Sequence, residues 1–165
     1  MAIITQRDLK KIRGRARGKK IVFASGSFDL VHAGHVLFLE DCKKHGDILV
    51  VGVGSDKAIK GHKEPYRPIL NEHVRIKLID SLKPVDYTLL THPPKKGLPV
   101  IYPLGAIFQS LKPDLYVVNG DIKDIQGRKA FAAQYRVRTM VLKRKAPKNF
   151  KKVSTTQIIA RLKNL

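Results

Sequence analysis

Short apolar runs and longer stretches of helical periodicity take turns along this 165-residue chain. The runs at 20–24, 47–54, 85–91, 114–118 and 138–143 are rich in Val, Ile and Leu and are bounded by Gly, Pro, Asp or Asn, which predicts buried strands. Between them, apolar residues recur every three or four positions from Gly34 to His45, from Asn71 or Glu72 to Leu82, from Leu104 to Leu111, from Gly127 to Tyr135 and from Ser154 to Leu162. Each of these segments predicts a helix, and Pro84 ends the second. A short amphipathic helix is expected from about Thr5 to Gly18, with Leu9 and Ile12 inward. Continuously apolar strands separated by helices give βαβ units, a parallel sheet and helices on both faces. The fold class is therefore α/β, a small doubly wound parallel sheet of about five strands. The polar segment from Lys57 to Pro68, with Gly61 and Pro65, reads as a loop that folds over a ligand, and four prolines between His92 and Pro103 mark an irregular connection. Ligands in such sheets bind beyond the carboxyl ends of the strands where the winding reverses, and Gly26, Asp56 and Gly120 fall at strand ends.

Composition narrows the class. A single domain over 1–165 is expected at this length, and 43% hydrophobic residues with no low-complexity tract mark it as globular. No apolar run approaches the length needed to cross a bilayer, and the start from Met1 to Arg7 lacks the apolar stretch of a signal peptide, so the expectation is a cytoplasmic protein with no membrane partner. One cysteine, Cys42, excludes an intramolecular disulfide and leaves no cysteine cluster for zinc; no metal ligand set is identified. The formal charge of +20 is unevenly spread: from Ile125 to Leu165 there is no acidic residue, and 10–20 is similarly basic. Such a field concentrates a nucleoside triphosphate, a phosphorylated metabolite or nucleic acid alike. Nucleic acid is the less favoured partner, because no nucleic-acid module is recognised and Tyr135 and Phe150 stand isolated among the basic residues.

The chemistry concentrates after the first strand, in Gly26-Ser27-Phe28-Asp29-Leu30-Val31-His32-Ala33-Gly34-His35. Two histidines three apart at a helix start share one face, beside backbone N–H groups that have no intrahelical partner and a positive dipole end. That combination attracts phosphate. Ser154, Thr155 and Thr156 read as the N-cap region of the last helix, where the same exposed N–H groups and hydroxyls suit phosphate. Asp29 and Asp121 suit turns, and Asp121, at a strand end, is the better site candidate.

The run Gly26 to His35 resembles the signature of the cytidylyltransferase-like nucleotidyltransferases. Three further places are similar to that family: Arg67-Pro68-Ile69 with Arg75 and Val85-Asp86, Lys112-Pro113-Asp114 through Asn119-Gly120-Asp121, and Val153-Ser154-Thr155-Thr156-Gln157-Ile158-Ile159. The resemblance implies a Rossmann-like fold of the nucleotidyltransferase type, and an enzyme in which a phosphomonoester attacks the α-phosphorus of a nucleoside triphosphate and expels pyrophosphate. It implies that His32, His35 and Arg75 act on the triphosphate. Nucleotide binding would fall to Gly26, Ser27, Phe28, Gly34, Asp121, Ser154, Thr155 and Thr156. Lys60 and Lys63 are candidates for the acceptor or a phosphate, and Mg2+ is implied by the triphosphate. Within the family, 15–23 with 32–36 most resembles the adenylyltransferase domain of bacterial heptose-phosphate enzymes, which favours AMP transfer from ATP to a phosphorylated sugar or polyol. Ser55-Asp56 with 59–63 also resembles glycerol-3-phosphate and ethanolamine-phosphate cytidylyltransferases, which use CTP, and 81–86 suits FAD synthetases. Relatives in this family commonly pair, so a homodimer is an expected assembly.

Overall fold

The computed structural model describes residues 2–60, 64–94, 96–122, 124–143, 149–150 and 153–164. Its strands are β1 (Ala2–Ile3), β2 (Ile21–Gly26), β3 (Ile48–Gly54), β4 (Tyr87–Thr91), β5 (Leu115–Asn119) and β6 (Arg138–Leu142). They form one sheet in the order β1-β4-β3-β2-β5-β6, with every pairing parallel. The five strands read from the sequence are β2 to β6. The sixth, β1, is two residues long and escaped detection because no hydrophobic period fits in so short a segment. It is held by the ladder alone, Ala2 N donating to Asp86 O at 3.1 Å and Ile4 N to Thr88 O at 2.8 Å.

The helices are α1 (Leu9–Arg15), α2 (Ala33–Lys43), α3 (Asp56–Lys60), α4 (Glu72–Asp80), α5 (Leu104–Leu111), α6 (Ile125–Gln134) and α7 (Thr155–Lys163). The expected helix over 5–18 is divided: a 3-10 turn covers Gln6–Asp8, and α1 ends at Ala16, just before Gly18 adopts φ +72°. One expectation is corrected outright. The segment after Ser55 was read as loop from Lys57 onward, but Asp56–Lys60 is helical. Ser55 Oγ accepts from Ala58 N at 3.2 Å, and Ala58 and Ile59 are buried, so a cap and two apolar contacts outweigh the local polarity. Residues 61–63, with the candidate Lys63, lie outside the described residues.

Alternation along the apolar strands divides the core into two layers. Phe23, Val50, Tyr116 and Val118 face α1, α5 and α6 through Leu9, Ile12, Ile107, Phe108, Leu111 and Ala132. Val22, Ala24, Leu49, Val51 and Val117 face α2 and α4 through Leu39, Cys42, Ile76 and Ile79. Winding reverses between β2 and β5, the neighbours from which the chain departs to opposite sides. Open α/β sheets take ligands beyond the strand ends at such a point. Among the described residues, no helix is long and apolar enough to cross a membrane.

Candidate active site

β2 ends at Gly26, and the chain then makes a tight loop before α2. Phe28 and Leu30 adopt φ +49° and +52°, left-handed values that cost a non-glycine residue roughly 1–3 kcal/mol each and persist only where surroundings fix them. Asp29, between them, supplies the fixing. Its carboxylate accepts from Ile69 N and Leu70 N at 3.0 Å, and Arg67 Nε lies 2.7 Å from Oδ2, with both side chains buried. The backbone carbonyl of Asp29 accepts from Thr155 Oγ1 at 2.7 Å, which ties the amino end of α7 to the same loop.

The Phe28 ring fills the space inside this loop. It is 4% exposed, meets the His35 ring edge-on at 5.5 Å, and would lie 3.0 Å from a Cβ added at Gly26. A side chain at Gly26 would therefore have to push the Phe28 ring aside. His32 is the N-cap of α2; its Nδ1 accepts from Gly34 N at 3.1 Å, and His35 Nδ1 faces His32 N at 3.4 Å. The two imidazoles stack with centroids 4.0 Å apart and planes 26° apart. A ring nitrogen that accepts from an amide carries no proton, so an Nδ1 contact of this kind goes with the tautomer protonated on Nε2.

Arg75, expected at the triphosphate, is placed beneath the loop. It is fully buried, with Nε donating to Leu70 O at 2.8 Å, Nη1 to Ser27 O at 2.6 Å and Nη2 to Asp56 Oδ1 at 2.6 Å. Asp56 N in turn donates to Glu72 Oε2 at 2.8 Å. One guanidinium therefore joins the loop after β2, the start of α3 and the segment leading into α4. Sequence reasoning did not find Asp29, Arg67, Asp56 and Glu72 as members of one network. Asp29 reaches 41 positions to Leu70 N and 126 to Thr155, and no local pattern announces such bonds.

Ser154 caps α7: its Oγ accepts from Gln157 N at 3.2 Å, and its N donates to Gln157 Oε1 at 2.9 Å. Thr155 and Ser154 therefore stand at the loop, with Thr156 in the same first turn and exposed. Asp121 is exposed on the turn after β5, its N facing Asn119 Oδ1 at 3.3 Å, and Lys60 is exposed at the end of α3. Asp121 follows β5 and α3 follows β3, the two strands that flank β2 in the sheet. Cys42 is buried on α2, and burial pushes its thiol far above the ordinary range, which fits packing and not nucleophilic chemistry. A separate concavity, lined by Lys20, Phe108, Lys112, Tyr135 and Arg138, opens at the amino ends of the strands, away from this chemistry.

A model of the family described as "Cytidylyltransferase-like" matches residues 23–161, which takes in both the histidine loop and α7. The chain belongs to this family. Among curated relatives it is similar to "Bifunctional protein HldE" from Geobacter metallireducens, at 39% identity over 65% of the chain and 20% of that protein, and to the protein of the same name from Nitratiruptor sp., at 38% over 73% and 23%. The chain spans about a quarter or less of these relatives. A solved structure titled as a lipopolysaccharide core biosynthesis protein from Thermoplasma volcanium is 27% identical, with a TM-score of 0.61, covering 79% of this chain and 99% of that one. A pantoate-beta-alanine ligase from Francisella tularensis, solved with an ATP analogue and beta-alanine, shares the fold at 17% identity and a TM-score of 0.66, covering 100% of this chain and 73% of that one.

Proposed function

We infer that the chain is a nucleotidyltransferase that moves a nucleoside monophosphate, AMP in preference to CMP, onto a phosphorylated sugar or polyol. An oxygen of the acceptor phosphate forms the new bond to the α-phosphorus, the bond from that phosphorus to the bridging oxygen breaks, and pyrophosphate carries away the electron pair. A phosphate dianion is already ionised near neutrality, so no general base is needed. Catalysis then consists of positioning and of stabilising charge on the transferred group and on pyrophosphate.

The observation that carries this reading is the pair of stacked imidazoles at the start of α2, with His32 Nδ1 accepting from Gly34 N and His35 Nδ1 facing His32 N, so that the helix start fixes both rings. His32 and His35 would donate to the triphosphate as charge develops, the amides of Ser27 and Phe28 would hold phosphate oxygens, and Gly34 would let the nucleotide lie against the helix. Ser154, Thr155 and Thr156 would hold the β- and γ-phosphates, Asp121 the nucleoside, and Lys60 an outer phosphate. Arg75 would act by holding the loop in shape. Among the described residues, no group of three His, Cys, Asp or Glu side chains is placed to hold a metal. Mg2+ would enter as the complex of the nucleotide. The preference for AMP and for a sugar phosphate rests on the resemblance to heptose-phosphate enzymes and on the HldE relatives.

The test is pyrophosphate release with ATP, CTP and GTP over a panel of sugar, polyol and alkyl phosphates. ATP with a sugar phosphate is expected to be fastest; CTP with glycerol or ethanolamine phosphate, or ATP with a flavin phosphate, would move the assignment to those activities. With the best pair, His32→Ala and His35→Ala are each expected to lower turnover about 10²-fold to 10³-fold, the range for losing one such donor. Full turnover in both variants would sink the mechanism.

A further inference from the structure

Among the described lysines and arginines, five are not exposed: Arg13, Lys43, Arg67, Arg75 and Arg128. Four of them rest on carboxylates, Arg13 on Asp114 at 3.0 Å, Lys43 on Asp86 at 2.5 Å, Arg67 on Asp29 at 2.7 Å and Arg75 on Asp56 at 2.6 Å. Arg128, in the first turns of α6, has no carboxylate partner among the described residues. Its Nη1 donates instead to the hydroxyl of Tyr116 at 2.7 Å, and that hydroxyl lies 3.2 Å from Ser25 Oγ. A half-buried guanidinium resting on a neutral phenol has given up water without gaining a counter-charge, an arrangement that favours an arriving anion.

The location gives the anion a role. Tyr116 pairs with Phe23 in register, and Ser25 follows Phe23 by two positions on the same face of β2, immediately before Gly26. Tyr116 is the second residue of β5, and its buried side chain carries the hydroxyl to Ser25 near the carboxyl end of β2, beside the point where the winding reverses, on a face otherwise built from Phe23, Phe108, Leu111 and Val118. That is the face covered by α6, whereas α2 and its histidines cover the other. In-line displacement needs the attacking oxygen and the departing pyrophosphate on opposite sides of the α-phosphorus. Two phosphate-binding groups on opposite faces of one crevice meet that need.

We propose that Arg128, supported by Tyr116 and Ser25, binds the phosphate of the acceptor phosphomonoester. The role as acceptor site rests on the transferase reading above; the anion site itself does not. The planar fork of the guanidinium matches two oxygens of a phosphate, and the buried Tyr116 hydroxyl, itself beside Ser25, holds that fork in place.

The experiment uses the full chain and inorganic phosphate as probe, followed by phosphorus NMR line broadening with pyrophosphate present at saturation to fill the triphosphate side. Arg128→Gln is expected to weaken phosphate binding by about tenfold or more, Arg128→Lys to keep part of it and Tyr116→Phe to lose less, with ATP and CTP binding unchanged. Absence of phosphate binding in the parent protein, or equal binding in the parent and Arg128→Gln, overturns the inference. A parallel loss of nucleotide binding overturns it as well, because Arg128 would then serve the triphosphate. Urea unfolding supplies the structural control: lower stability in Arg128→Gln with phosphate binding intact makes the residue a tether for α6 and nothing more. Should phosphate depend on Arg128 while the parent binds no nucleotide at all, the anion site stands and the transferase reading falls.

Discussion

Arg75 and Asp29 carry the most consequence per residue, because each satisfies several backbone groups that nothing else reaches. Arg75→Ala would leave Ser27 O, Leu70 O and a carboxylate oxygen of Asp56 without their partner. Asp56 retains 32% side-chain exposure and recovers part of the loss through water, so the expected cost is about 2–4 kcal/mol, below the upper range for breaking a buried pair. Urea unfolding measures this. Arg75→Lys keeps the charge but loses the fork, so it should recover little of the stability. If Arg75→Lys were instead as stable as the parent, the three-way join would not be what holds the loop. From sequence, Arg75 is a candidate for the triphosphate, and its burial is invisible there: a helix position next to Ile76 and Val74 gives no sign of which side an arginine faces when the neighbour it needs is Ser27.

At the scale of elements, most boundaries were legible because caps are local chemistry. α5 lies at Leu104–Leu111 as read from the sequence, and α4 starts after Asn71, whose Oδ1 accepts from Val74 N at 3.1 Å. Ser154 caps α7 through Oγ, and replacing it by alanine is expected to cost about 1 kcal/mol. Thr155→Val removes a different bond, the one to the Asp29 carbonyl, and it tests whether α7 is held to the loop. Hydrogen exchange separates the two: Ser154→Ala should raise exchange within α7 alone, whereas Thr155→Val should raise it at 27–30 also. Protection at 27–30 unchanged in Thr155→Val would show that the tether does not matter. The elements that escaped sequence reading were β1 and α3, both five residues or shorter. Elements of that size have too few positions for a period, and their stability comes from the sheet edge and the buried contacts they meet.

Charge belongs to the whole molecule. At +20 on 165 residues, the folded chain repels itself and attracts polyanions at once. Raising salt from about 0.1 M to about 1 M shortens the screening length from about 10 Å to about 3 Å, so the two effects should weaken together. ATP affinity, followed by calorimetry, is expected to fall while the urea midpoint rises. Affinity insensitive to salt would mean that the distributed charge plays no part in nucleotide capture and that the local donors act alone.

Sequence by itself determined the α/β class, five of the six strands and the family, because hydrophobic period, cap chemistry and contiguous motifs are properties of neighbours along the chain. Only the tertiary structure decided which charged groups face inward and what they hold. Asp29 meets 67–70, Arg75 meets Ser27, and Arg128 meets Tyr116, through bonds made by folding distant segments against one another. A charged side chain reads the same in sequence whether it is solvated or buried; the cost of removing it from water, and the partners that offset that cost, exist only once the chain has closed around it.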